Sequence, residues 1–430
     1  TVWGPMHWGH AVSPDMVHWE HLPIALYPDD LGYIFSGSAV IDWNNTTGFQ
    51  TGEHPPMIAI FTHHEPVGAS EEGNDTYQYQ SIAYSNDKGR TWTKYEGNPV
   101  VPNPGIKDFR DPKVSWHEAS GQWLMVFAAL DRVKFYTSPN LIDWTFQSDF
   151  GMNDGSHGGV WECPDLFELP VEGTDEKKWV LLLSINPGGP NGGSATQYFV
   201  GDFDGKTFKN THYPERTQWL DWGPDNYAGV TWGDIPKEDG RRLFLGWMGN
   251  WNYAQVVPTE KWRSAMTIPR TLHLTKNNET GVYSVSSRPV KELSSIEGEQ
   301  ITVNGTTMKP NTNLNLIEEN DKELSIPFKS TISFELSDEN AREFEITLDN
   351  PDTKEQFVLR FKDGNLYGDR KKSGIIDFAD NFAHEDPKAS LGSLLSQNGE
   401  LKVEIYVDVA SIEVFVNDGA VVMTEIFFPT

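Results

Sequence analysis

Apolar residues fall in short runs closed by Gly, Pro, Asn or Asp, and long helical periodicity is hard to find in the first 270 residues. Met57–Phe61, Trp123–Phe127, Trp179–Leu183 and Leu243–Trp247 are near-continuous apolar runs of strand length. Such runs read as strands. The texture changes after Ile268-Pro-Arg-Thr-Leu272, where residues from about 276 to 325 turn polar. Beyond them Thr331–Leu336, Phe344–Leu348, Phe357–Phe361, Leu401–Val407 and Ile412–Val416 largely alternate apolar and polar positions. That period of two, with Asn417-Asp418-Gly419 as a turn signal, predicts a half-buried antiparallel sandwich.

A repeat organises the first part. Ser13-Pro14-Asp15 leads to Trp19, Ser85-Asn86-Asp87 to Trp92, Ser138-Pro139-Asn140 to Trp144, and more weakly Gly201 and Asp204 to Phe208. The aromatics are 73, 52 and 64 residues apart, the span of a four-stranded unit with variable loops. Each copy reads as a hairpin turn ending in an aromatic, and four in order predict radial repetition, a β-propeller. Asn186–Ser194 is rich in Gly and Pro and fits a surface crossing or a pocket rim; neither a Lys nor a helix start follows it, so a phosphate cradle is not supported.

The chain has 34 basic and 62 acidic residues, a net charge of −28 with His neutral. That field repels phosphate backbones and anionic lipid, so neither nucleic acid nor membrane is expected as a partner. A neutral sugar is indifferent to it. One cysteine, Cys163, rules out an internal disulfide and a Cys-based zinc site. The 12 His are scattered, and His63-His64 is too little for a ligand set, so no metal and no cofactor are expected.

Two carboxylates stand between an aromatic and a Pro: Glu162 in Trp161-Glu162-Cys163-Pro164, and Asp111 in Phe109-Arg110-Asp111-Pro112. Apolar neighbours disfavour a charged carboxyl. Glu162 therefore suits a proton donor, whose pKa must rise from about 4.3 towards roughly 6; a plain Glu at a strand end would look the same. Asp111 can accept hydrogen bonds from two sugar hydroxyls while Arg110 holds it ionised, or form a structural Arg-Asp pair at a turn.

These segments resemble the Arg-Asp-Pro and Glu-Cys motifs of the fructan-hydrolysing β-fructofuranosidases, glycoside hydrolase family 32. Trp3–Ala11, Phe35–Ser38, Phe109–Lys113, Gly158–Asp165 and Trp262–Ser264 run in family order, and the first and fourth look closest to bacterial levanases. The expectation is an all-β chain: a five-bladed β-propeller over 1–275, a linker over 276–295 and a β-sandwich over 296–430. The first blade is expected to be incomplete at the N-terminus and the sandwich at the C-terminus. The resemblance implies a secreted, retaining, exo-acting enzyme that removes terminal β-fructofuranosyl residues from levan, inulin or sucrose. It makes Glu162 the acid/base and Asp111 the transition-state stabiliser beside Arg110. Phe35 and Ser36 would line the fructosyl subsite, Trp3 and Trp251 would be pocket aromatics, and Asp225 would lie near the acid/base. A fructosyltransferase on the same scaffold and a non-catalytic fructan-binding relative are the alternatives. The family's nucleophile motif, W-M-N-D-P-N-G, is absent. Met152-Asn153-Asp154-Gly155 lacks its leading Trp and its Pro-Asn-Gly continuation. The nucleophilic Asp is therefore expected upstream of Thr1, and residues 1–430 alone are expected to be inactive.

Overall fold

The computed structural model describes residues 3–303, 305, 307–317, 324–336, 343–392 and 399–430. Five antiparallel sheets follow one another from Trp8 to Pro289. The first pairs Trp8–Val12 with Glu20–Leu26. The next three open on the strands Tyr33–Ile41, Arg110–His117 and Val160–Pro170, and the fifth on Tyr227–Thr231. These four opening strands lie side by side in turn, and the later strands step outward in chain order, except for the two-residue strands Gln218–Trp219 and Ala265–Met266, which branch off Ala195–Phe203 and Arg242–Met248.

The apolar runs fill the spaces between neighbouring sheets. Val40, Ile58, Ile60, Val114, Met125 and Phe127 form the cluster between the second and third sheets. Trp161, Val126, Phe135, Leu181 and Phe199 do so between the third and fourth, and Phe167, Leu182, Val200, Phe244 and Leu272 between the fourth and fifth. The repeated turns share one geometry. Asp15, Asp87 and Asn140 each accept backbone N–H groups two to four residues on. The next residue in each, Met16, Lys88 and Leu141, is left-handed at φ 64°, 62° and 64°.

Residues 276–295, expected as a linker, instead carry the last strand of the fifth sheet. Tyr283–Pro289 pairs with Arg270–Lys276 along its length, and Tyr283 and Val285 are buried. The polar stretch that suggested a linker is a hairpin turn closed by the Gly281 N–H to the Asn277 carbonyl, followed by the 3-10 helix Lys291–Ile296. A strand with only two apolar anchors does not stand out against such flanks.

The second unit is the expected sandwich. One sheet runs Phe328–Glu335, Glu400–Asp408, Ser411–Val416, Val421–Ile426, and the other Phe344–Asp349, Gln356–Lys362, Asn365–Lys372, Lys388–Ser390. Alternate residues Leu401, Val403, Ile405 and Val407 meet Phe357, Leu359 and Phe361 in one core. Asn417 and Asp418 are left-handed, as the tight turn before Val421–Ile426 requires. No helix among the described residues is long and apolar enough to cross a membrane.

The two units are joined by a buried ionic hub. The Arg270 guanidinium, fully buried, donates to Asp221 at 2.9 Å, to Glu413 at 2.5 Å and to the Thr424 hydroxyl at 2.7 Å. Asp221 and Arg270 belong to the first unit, Glu413 and Thr424 to the sandwich. Removing one member of a buried pair strands the other charge. Arg270→Met is therefore expected to lower unfolding free energy by about 3–5 kcal/mol, read as the midpoint shift in urea denaturation.

Candidate active site

The site begins with four backbone irregularities. Each opening strand of sheets two to five breaks register with its partner over two residues: Phe35-Ser36, Asp111-Pro112, Cys163-Pro164 and Ala228-Gly229. A bulge of this kind bends the strand and re-aims its side chains. Asp111, Cys163 and Ala228 sit there in the left-handed region at φ 67°, 49° and 51°. Such a conformation costs roughly 1–2 kcal/mol for a residue with a Cβ.

The bulged N–H groups have lost ladder partners, and side chains of the preceding sheet replace them. Asp111 N–H donates to the Thr62 hydroxyl at 3.0 Å, Ala228 N–H to the Ser184 hydroxyl at 3.0 Å, and Cys163 N–H to Asp111 Oδ2 at 3.0 Å. Ser38, in the same sheet as Thr62, also pins the Asp111 bulge, donating to Pro112 O at 3.1 Å and accepting from Val114 N–H at 3.0 Å. Between it and Phe35, Gly37 lets the neighbouring strand approach, because a Cβ there would lie 2.0 Å from Ile60 O.

Three carboxylates gather round one guanidinium. Arg110 donates from Nη2 to Glu162 Oε1 at 3.1 Å and from Nη1 to Asp108 Oδ1 at 2.5 Å, and Asp111 is its chain neighbour. The second oxygen of Glu162 accepts from the Tyr227 hydroxyl. Burial alone would ease the Arg110 proton off, but Asp111, Glu162 and Asp108 outweigh it and hold the cation more firmly than usual. Burial pushes the Asp111 carboxyl up to about 6, with Arg110 pulling it back and Glu162 adding to the rise. Burial and the Glu162 charge also raise the Tyr227 phenol well above its ordinary value, so it stays a donor.

An aromatic rim extends from this cluster on both sides. On one, Arg110 Nη1 meets Gln78 Oε1 at 3.4 Å and Gln78 Nε2 meets His64 Nδ1 at 3.2 Å. Phe35 stacks on the His64 ring, centroids 4.2 Å apart, and Trp3 stands edge-on to Phe35 at 5.7 Å. Burial lowers His64 to about 4, so that ring is neutral at pH 7. On the other side Trp247 stands 6.2 Å from Tyr227 and Trp251 5.2 Å from Trp247. Trp3, Ser36 and Trp251 are exposed, and Phe35 is half-buried.

The structure therefore links Glu162, Asp111 and Arg110 to Phe35 and Trp3 on one side and to Trp251 on the other, and Ser36 follows Phe35 on the same bulge. Asp225 does not join them. It is fully buried, accepting from the Tyr253 hydroxyl at 2.6 Å, from Arg370 Nη1 at 2.8 Å and from Ile426 N–H at 3.0 Å. Both its oxygens are committed to the joint with the sandwich, so the expected place beside the acid/base is corrected. Tyr227, two residues on, occupies that place. Asp108, Gln78, His64 and Trp247 were also missed. Asp108 was visible as a second Asp just before Arg110, whereas the others depend on which strands neighbour which. Asp154 of the rejected Asn-Asp-Gly segment is held by the Asn210 amide at 2.9 Å, a loop contact.

Asp111 also makes stability depend on pH. The unfolded chain releases this proton near 3.8, the folded chain near 6, so between those values the folded state binds more protons. The Asp111 contribution to stability is thus expected to fall as pH rises from about 4 to about 6. Urea denaturation of the protein and of Asp111→Asn over that range should show the difference between them closing on the acid side. A constant difference would mean that Asp111 does not titrate there.

Residues 1–285 match the Glycosyl hydrolases family 32 N-terminal domain, and residues 292–430 match the Glycosyl hydrolases family 32 C terminal domain. A levanase of Bacillus subtilis is 52% identical over 99% of this chain, and the chain spans 61% of that protein's length. An extracellular exo-inulinase of Aspergillus niger is 40% identical over the whole chain, covering 82% of its own length. Among solved structures, the exo-inulinase from Aspergillus awamori superposes on the whole chain and 86% of its own, with a TM-score of 0.87 at 36% identity. The β-fructofuranosidase from Schwanniomyces occidentalis complexed with fructosyl-erythritol covers the whole chain and 84% of its own, at 0.80 and 34%. With a matching propeller domain, a matching sandwich and relatives of this closeness, the chain belongs to glycosyl hydrolase family 32.

Proposed function

We propose that the protein is a retaining exo-β-fructosidase releasing terminal β-fructofuranosyl units from levan, inulin and sucrose. What supports it most is the placing of Asp111 on a bulge of one opening strand and of Glu162 immediately before the bulge of the next, with Arg110 bonded to Glu162 and the Cys163 N–H to Asp111. In this reading Glu162, held by Arg110 and Tyr227, gives its proton to the leaving glycosidic oxygen and then takes one from water. Asp111, held by the Cys163 N–H, accepts hydroxyls of the fructosyl ring, and Arg110 fixes Glu162 in place. The nucleophile that a retaining mechanism needs is a separate carboxylate, assigned to none of these residues. Trp3, Phe35 and Ser36 receive the fructosyl unit and Trp251 stacks on the sugar, since flat rings present an apolar face with a polar edge. Secretion belongs to the same proposal, supported by exo-inulinase relatives that are named extracellular.

Glu162→Gln keeps the shape and removes the proton donor. In a form of the protein shown to release fructose, this substitution is expected to lower kcat on levan and sucrose by about 10²-fold or more, while substrate still binds. Near-normal turnover would remove Glu162 from the acid/base role. Product analysis of the parent should give free fructose; lengthening oligosaccharides would show transfer to a sugar acceptor instead.

A further inference from the structure

The loop Asn186–Ser194 touches both the sandwich and the rim of the site. Asn191 Nδ2 donates to Trp222 O at 2.6 Å and to Lys388 O at 3.1 Å, while its Oδ1 accepts Lys388 N–H at 2.9 Å. Lys388–Ser390 is an edge strand, so the Asn191 amide pairs with it as another strand would. Three residues on, the buried Ser194 hydroxyl accepts Trp251 N–H at 3.0 Å and donates to Asn186 Oδ1 at 3.1 Å. Buried Asn250 fastens the same turn, accepting Ser194 N–H at 3.3 Å and donating to Pro224 O at 2.8 Å. Little slack remains between the two ends. Gly193 is left-handed at φ 66°, and a Cβ there would lie 2.2 Å from Asn250 Oδ1.

The geometry points to Asn191 as a positioning residue through which the sandwich sets the Trp251 indole. The inference rests on the proposed reading of Trp251 as a sugar-facing ring. The sandwich edge fixes Asn191, the loop carries that position to Ser194 and Asn250, and these hold the backbone from which Trp251 projects over Trp247. Asn191 touches no substrate. Its loss should loosen the ring and weaken sugar binding without disturbing Glu162 or Asp111.

The test is a double-mutant cycle on levan in the active protein, comparing Asn191→Ala, Trp251→Ala and both together. Asn191→Ala is expected to raise KM about fivefold or more with kcat changed by less than about twofold. The double variant is expected to match Trp251→Ala alone, because the positioning has nothing left to act on. Asn191→Asp keeps the acceptor for Lys388 N–H and should give an intermediate KM. It carries the same cycle if the alanine variant does not fold. An unchanged KM in the Asn191 variants, or a double variant equal to the product of the singles, overturns the inference and leaves the proposed function standing. An unchanged KM in Trp251→Ala would remove the sugar-facing reading of the ring, and this inference with it.

Discussion

The site depends on what happens to a backbone N–H when a strand gives up its ladder. A bulge re-aims a side chain, but it also leaves a buried donor whose desolvation costs about 1–3 kcal/mol if it stays unpaired. Thr62 and Ser184 meet that cost with hydroxyls on either flank. At Cys163 the acceptor is Asp111 itself. One carboxylate thus closes the backbone of the next sheet and stands in the group proposed to bind the sugar. Its orientation is fixed by the fold before any ligand arrives, the preorganisation that electrostatic catalysis requires.

Around this, charge is arranged economically. A single guanidinium serves Asp108, Asp111 and Glu162, and a phenol with a raised pKa holds the remaining oxygen of Glu162. The planar fork of Arg can address separate carboxylates at once, which a Lys ammonium would do with far less geometric definition. The aromatics are split between two flanks and reach the ionic centre through hydrogen bonds on one side and ring contacts on the other.

Much of this was legible in the sequence. Continuous apolar runs marked strands, alternation marked the sandwich, and the Ser-x-Asp turns marked the repeat because their side chains cap their own backbone. Glu162, Asp111 and Arg110 stood out as candidates because their aromatic and Pro neighbours are adjacent in the chain and form motifs that resemble the family's. What sequence hid is pairing across distance. Asp225 and Tyr227 lie two residues apart, yet one faces an arginine of the sandwich and the other Glu162. Nothing local separates them, since the choice is made by Arg370, far along the chain. The strand Tyr283–Pro289 was lost for a related reason: its partner, not its composition, makes it a strand.

The ionic joint has a consequence for protein engineering. Arg270 draws its partners from both units, and Arg370 of the sandwich reaches back to Asp225 and the Tyr253 hydroxyl. A recombined enzyme joining one family member's propeller to another's sandwich would therefore inherit half of each constellation. A chimera of this scaffold keeps its joint only where the two parents supply matching halves. The graft has to carry Asp221, Asp225, Tyr253 and Arg270 together with Arg370, Glu413 and Thr424, so the heritable module is the seam and not the domain.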